Sequence, residues 1–409
     1  MFEGVLERIG SRFARSEPRR TVRELLLGLL APIERKNGWW LAEHAGHTGP
    51  DRMQRLLRTA VWDTDAVAGD LRDFVVEHLG HRDGILVADE TGYLKKGTHS
   101  VGVQRQYSGT AGRVENSQIG VFLAYVSPRG RALIDRRLYL PRAWSDDERR
   151  CEAAGVPDEA LFATKPELAL AMIDAAVAAA VPAGWFTADE AYGLDPVLRA
   201  GLRERGMAYV LAVACNTLVN TTAAQRERVD RVAALLPEQA WQTRSAGPGV
   251  KGHRLYDWAW VTILGQDEGR HSLLVRRGSD GQLAYYLCWT SVPVPLARLV
   301  AVAGSRWSVE EAFQTAKGQV GLDQYQCRGW LAWHRFTLLA MIALAVLTVV
   351  TIAQRLVSSS ADLVDLSLAE TRRLINTAIR TTAPAALAAA WSRWRRRHQS
   401  IARRSHYKQ

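Results

Sequence analysis

Three acidic dipeptides, Asp89-Glu90, Asp189-Glu190 and Glu310-Glu311, stand far apart in a chain of 409 residues. The first closes the apolar run Gly84 to Ala88 and the second the run Trp185 to Ala188. Both runs read as strands covered on both faces. The third dipeptide lies in a helical segment between Arg306 and Lys317. Carboxylates at strand ends and on one helix can converge in space, and converging carboxylates bind divalent metal ions that carry phosphoryl-transfer chemistry. Side chains alternate along a strand, so only one acid of each strand pair can join a shared site. Asp89 and Asp189 are the better choices, because a short side chain suits a rigid strand end. At about 100° per residue, Arg306, Glu310 and Lys317 share one helix face and Glu311 turns away. That stripe offers an acid for metal between two cations for phosphate. The plainer readings are solvated or helix-capping acids at the strand ends and, on the helix, a surface ion pair worth about 0–1 kcal/mol.

Those side chains need a scaffold, and the pattern predicts one. Residues 1–78 read as helical: Thr21 can cap a helix reaching Leu30 with Glu24 as its capping-box partner. A second periodic segment puts Met53, Leu56, Leu57 and Val61 on one face, with Arg52, Arg55 and Arg58 nearby. Short helices joined by tight turns suit a helix-turn-helix-like DNA module or a plain packing domain. Strands are expected at 84–89, 117–126, 131–140, 185–189 and 208–213, with helices at 166–180 and 194–205, which describes a mixed α/β sheet. Residues 214–292 carry strand signals at 255–264, 271–277 and 283–289 and read as a mostly β insertion. Trp258 and Trp260 share a strand face there, as core or as a stacking surface. Helices are expected at 306–318, 332–354, 361–380 and 384–398. The segments divide into a helical region 1–78, a core 79–213 with 293–354, the insertion 214–292, and C-terminal helices with a basic tail over 355–409.

Net charge is +11 and the pI about 9.7, which favours a polyanionic partner, nucleic acid or an anionic membrane surface. Residues 391–409 hold seven Lys or Arg and no acid. Arg395 and Arg396, with Trp391 and Trp394, could lie along DNA. Lys95, Lys96, Arg105 and Arg113 follow the first aspartate and could clamp phosphates, or serve only as solvated loop charges. The four cysteines have no metal-ligand spacing, so neither a zinc site nor a disulfide framework is read, and a reducing cytoplasm fits. The uncharged run Phe336 to Ala353 has 18 residues and reaches the lower bound of a membrane span, ~17–25 residues. Its threonines and alanines favour a buried core helix instead.

Arg306-x3-Glu310-x6-Lys317 resembles the signature Tyr-x2-Arg-x3-Glu-x6-Lys of insertion-sequence transposases of the IS4 group, with Ala303 in the Tyr position. Longer blocks resemble the IS701 family: Glu34-Arg35-Lys36-Asn37-Gly38-Trp39, Pro50-Asp51-Arg52-Met53-Gln54-Arg55-Leu56-Leu57, Asp89 to Gly97, Gln104 to Gly112, Thr187 to Gly193, and Gly321-Leu322-Asp323-x-Tyr325-Gln326-x-Arg328. The resemblance runs from about residue 20 to 354. It implies an RNase H-like catalytic core with Asp89, Asp189 and Glu310 as catalytic and metal-binding residues, interrupted by a β insertion before the Glu. It also implies two Mg²⁺ ions, replaceable by Mn²⁺, and double-stranded DNA as partner, both as element ends and as target. Arg306, Lys317, Lys95, Lys96, Arg105, Arg52, Arg55, Arg395 and Arg396 are the expected DNA contacts. The implied function is cut-and-paste transposition by a homodimer on DNA, in the bacterial cytoplasm at the nucleoid and without a membrane. The alternative is a catalytically silent DNA-binding regulator derived from such an enzyme.

Overall fold

Five helices come first: α1 (Phe2–Gly10), α2 (Ser16–Leu30), α3 (Gly38–His44), α4 (Asp51–Arg58) and α5 (Thr64–Leu79). The computed structural model describes residues 1–249, 252–265, 267–358 and 365–378. α2 starts five residues before the expected cap, because Pro18 is tolerated in a first turn. Thr21 is therefore inside the helix, buried, and its hydroxyl donates back to the Glu17 carbonyl at 3.0 Å. Met53, Leu56 and Leu57 are buried as expected, but α4 ends at Arg58 and leaves Val61 81% exposed.

The sheet begins with β1 (Gly84–Leu94), β2 (Gln104–Ser108), β3 (Arg113–Ser127) and β4 (Gly130–Tyr139). Short helices α6 (Arg142–Ser145) and α7 (Glu148–Ala154) lead to α8 (Lys165–Ala178), which opens on a complete capping box between Thr164 and Glu167. Next come β5 (Ala183–Ala188), the single turn α9 (Glu190–Gly193), α10 (Pro196–Glu204) and β6 (Ala208–Val213). β3 runs antiparallel to both β1 and β4, while β1, β5 and β6 are parallel. The order β4-β3-β1-β5-β6, with those senses, is that of an RNase H-like core.

The predicted insertion does not form a separate sheet. After β7 (Leu218–Asn220), β8 (Arg226–Arg228) and α11 (Val229–Ala234), four antiparallel strands follow: β9 (Gln242–Gly249), β10 (Gly252–Thr262), β11 (Arg270–Arg277) and β12 (Leu283–Thr290). β12 pairs antiparallel with β6, so the main sheet runs on through β11 and β10 to β9. Among the described residues, ten strands make this one sheet. Trp258 is buried between Tyr256 and Tyr286, whereas Trp260 is 42% exposed. A small second core under β11 and β12 gathers Val219, Val229, Leu273 and Val275.

α12 (Leu296–Ser305) and α13 (Trp307–Thr315) meet across Arg306, and Ala316–Val320 form a π turn. α14 (Trp330–Ser358) follows, then α15 (Leu368–Ala378). The helices expected at 361–380 and 384–398 are described only as α15; the rest, with Trp391, Trp394, Arg395 and Arg396, lies outside the described residues. α14 is long and apolar enough to cross a membrane, but its apolar window is 83% buried within the protein. It packs on β4, α2, α4 and α5, which makes it a core helix. Arg335, itself buried, donates to the Leu56 and Trp62 carbonyls at 3.3 and 3.1 Å and stacks over Trp62. Arg136 on β4, also buried, donates to the His334 carbonyl at 2.9 Å. The N-terminal helices thus share one continuous core with the sheet.

The sequence blocks meet in space. Lys36 donates its backbone N–H to Gln324 at 2.7 Å, and its buried ammonium donates to the Gly28 and Ala31 carbonyls at the end of α2. Tyr325, buried, donates to Gln118 at 2.9 Å and accepts from Trp333 at 3.0 Å. Gly193 matters most for the site, because a Cβ there would run into the Ala212 carbonyl of β6. Only glycine lets the α9 turn sit this close to the sheet. Gly193→Ala should therefore destabilise the protein by about 1–3 kcal/mol in urea unfolding. An unchanged midpoint would show that the turn has room to move.

Candidate active site

Asp89 and Asp189 sit level with each other, and the strand register explains why. β1 and β5 pair in parallel as Ile85 with Trp185, Leu86 with Phe186 and Val87 with Thr187. The same register carried two residues further puts Asp89 opposite Asp189. Adjacent strands are about 4.8 Å apart, and residues in phase on parallel strands point to one face. The expectation that β1 ends at Asp89 is corrected: β1 continues to Leu94, paired to β3 alone. β5 stops at Ala188, which opens the other edge of β1 beside Asp89. Asp189 turns the chain into α9 as its N-cap, accepting from the Ala191 N–H at 2.9 Å.

Glu90 takes the opposite face, as alternation requires. It ion-pairs with Lys165 at the start of α8 and accepts from the Tyr192 hydroxyl at 2.7 Å. Glu311 pairs with Arg131 at 2.6 Å. On α13, Val309, Ala312 and Phe313 are buried, with Phe313 edge-on to Phe122 of β3 at 5.4 Å. This seats the helix and leaves Glu310 partly exposed, ion-paired with Arg306 at 3.0 Å. Lys317 follows just beyond α13. It stands in the π turn, whose i→i+5 bonding breaks the 3.6-residue register. Its ammonium donates to Thr110 at 3.1 Å and to the Gly92 carbonyl at 3.4 Å, pinning the β2–β3 turn to the end of β1.

The remaining expected contacts are spread over the surface. Lys95 is half-buried with its ammonium 3.6 Å from the centre of the Tyr325 ring, and burial lowers its pKa to about 8. Lys96 and Arg105 are exposed. Arg52 and Arg55 both face Glu17, at 3.8 and 3.6 Å. Sequence reading missed Lys165, whose place ahead of a predicted helix gave no signal. Tyr192 was visible only as a member of a resembling block.

Burial pushes the Asp89 carboxyl up to about 8, and the neighbouring charges of Asp189 and Glu90 push the same way. The Glu90 N–H, donating to Asp89 at 2.7 Å, and Arg306 oppose the rise. Asp189 is raised too, by burial first and Glu90 second, and Arg306 again opposes. Arg306 is thus the cation shared by Asp89, Asp189 and Glu310. Among the described residues no three His, Cys, Asp or Glu side chains are gathered closely enough to cage a metal ion. The donor chemistry nevertheless fits one: two desolvated, mutually repelling carboxylates are what a hard divalent cation neutralises.

A carboxyl that holds its proton more tightly when folded removes stability as pH rises from about 4 through its folded value of about 8. The metal-free protein should therefore lose stability over that range, and Asp89→Asn should lose less. At pH 7.5 with chelator, Asp89→Asn should be the more stable by on the order of 1–3 kcal/mol. Equal stability at pH 5 and pH 8 for both proteins would contradict the charge repulsion.

Comparison with known proteins agrees with this geometry. A family model described as DDE superfamily endonuclease matches residues 8–234, and a transposase DDE domain matches residues 163–346. A curated relative from Microchaete diplosiphon, described as a probable transposase for insertion sequence element IS701, is 26% identical over 250 residues. That match covers 58% of this chain and 61% of the relative, so the chain spans about three-fifths of its length. A piggyBac transposase synaptic complex with hairpin DNA aligns over 93% of this chain and 76% of its own, with 14% identity and a TM-score of 0.39. The NurA nuclease from Sulfolobus solfataricus aligns over 65% and 83%, with 8% identity and a TM-score of 0.25. The fold assignment rests on strand order and sense rather than on those two likenesses. With an RNase H-like strand order and more than half its length matched by the family model, the chain belongs to the DDE superfamily endonucleases.

Proposed function

We propose that this protein is a cut-and-paste DNA transposase that cleaves the ends of its own insertion element and joins them to target DNA. The placement of Asp89 and Asp189 just beyond the paired stretch of two adjacent parallel strands carries the reading. In it, Asp89, Asp189 and Glu310 hold two divalent ions, Mg²⁺ or Mn²⁺. When bound, such ions supply Lewis acidity to a phosphoryl oxygen and acidify an attacking water. The chain's own residues do the rest. β1 and the α9 turn orient the aspartates, and Glu310 would join them from α13 by leaving Arg306. Arg306 offers guanidinium N–H groups to a phosphate once Glu310 is engaged elsewhere. In the first step a water oxygen bonds to phosphorus and the bond to the 3′ oxygen breaks, leaving a 3′-hydroxyl and a 5′-phosphate. In the second, that 3′-hydroxyl attacks a target phosphodiester and displaces its 3′ oxygen. The exposed Lys96 and Arg105, the Arg52–Arg55 face of α4 and the basic tail with Arg395 and Arg396 are the proposed DNA contacts. Joining two ends calls for two copies of the chain on DNA.

Asp189→Asn keeps the shape of the site and removes a charge. It should bind a duplex carrying the element's terminal inverted repeats as tightly as wild type in a gel-shift assay. Mg²⁺-dependent strand cleavage should fall by about 10²–10³-fold, the equivalent of several kcal/mol of lost transition-state stabilisation. Wild type that leaves matched ends uncut in Mg²⁺ would overturn the proposal.

A further inference from the structure

The sheet itself does not hold the two aspartates in register. Pairing between β1 and β5 ends at Val87 and Thr187, before either carboxylate is reached. Beyond that point β1 is paired only to β3, and Asp189 has already entered the α9 turn. Two like charges at the ends of two separating chains should push each other apart unless a cross-tie exists.

Tyr192 supplies that tie. Its backbone is bound to Asp189, because the Tyr192 and Gly193 N–H groups donate to the Asp189 carbonyl at 3.2 and 2.9 Å. Its ring is fully buried, and the turn is wedged against β6 at Gly193. From this fixed base the Tyr192 hydroxyl crosses to β1 and donates to one oxygen of Glu90, the residue next to Asp89, at 2.7 Å. The other Glu90 oxygen is taken by Lys165 from α8. Glu90 thus has both oxygens engaged on the face of β1 away from α13. We propose that Tyr192, Glu90 and Lys165 form a latch that locks the Asp89 strand to the Asp189 turn. In this arrangement Tyr192 and Lys165 are positioning residues for divalent-cation binding, and Glu90 is a structural anchor rather than a ligand. The inference rests on the metal-site reading above, with Asp89 and Asp189 as ligands.

The test uses full-length protein and Mn²⁺ as the probe, with free Mn²⁺ followed by electron paramagnetic resonance. Tyr192→Phe keeps the ring and removes the hydroxyl. Loss of an outer-shell group that orients metal ligands typically weakens binding by about 10–100-fold. Tyr192→Phe should weaken Mn²⁺ binding by that factor and raise the Mg²⁺ concentration for half-maximal end cleavage in parallel. Glu90→Gln, which can still accept from Tyr192, should lose less affinity than Glu90→Ala. Lys165→Met repeats the test from a partly exposed position, should the tyrosine variant melt well below wild type without metal. If wild type binds Mn²⁺ and both Tyr192→Phe and Lys165→Met bind it within twofold of wild type, the latch is wrong and the metal site stands. If wild type binds no Mn²⁺, or Asp189→Asn binds it as well as wild type does, the metal-site reading falls and the latch falls with it.

Discussion

Two carboxylates that repel each other are held side by side where the sheet buries them, and much of the surrounding structure answers that cost. The parallel register of β1 and β5 brings the two chains together as far as Val87 and Thr187, two residues before each aspartate. Burial and proximity then raise both carboxyls, and Arg306 is the cation set against them. A fold stabilised only for its own sake would have no reason to keep this pair, because one Asn would relieve the repulsion. The strain is informative because it is confined to one pair of neighbouring chain segments.

The helices at both ends of the chain serve the same centre. α14 is the spine: Arg136 ties its first turn to β4, and Arg335 ties it to the end of α4 and the loop entering α5. The N-terminal helices consequently share one core with the sheet. α4 is joined to the sheet through the packed side chains of α14. The β insertion is joined just as firmly, since β12 hydrogen-bonds along β6, two strands away from Asp89.

Much of this was legible in the sequence, for definite reasons. The apolar runs before Asp89 and Asp189 could only be strands covered on both faces, and alternation sent Asp89 and Glu90 to opposite sides. Less legible was anything set by partners distant in the chain. Thr21 and Glu24 make a good capping box on paper, yet α2 starts earlier because Pro18 fits its first turn. The strand signals of residues 255–289 were plain, but not β9, whose last residues Gly247-Pro248-Gly249 read as a turn, nor that β12 would continue the main sheet, because edge pairing depends on which strand end is left open. The run Phe336 to Ala353 has the composition of a short membrane span. Its surroundings, rather than its residues, make it a core helix.

The signature helix shows most clearly where periodicity stops being a guide. An ideal helix carries Arg306, Glu310 and Lys317 on one stripe. Lys317 stands in the π turn at Ala316–Val320 and donates to Thr110 and the Gly92 carbonyl. Lys317 therefore braces the end of β1 through the β2–β3 turn, while Arg306 keeps its i,i+4 partner. That pair is partly exposed, and such pairs are worth about 0–1 kcal/mol. Glu310 can thus exchange its partner at little cost, whereas Asp189 is fixed by its cap and Asp89 by its place in β1. A site with two rigid carboxylates and one loosely held third need not show a closed ligand cage before a cation arrives. The cheap exchange at Arg306 would also free a guanidinium beside the place where a phosphate would lie.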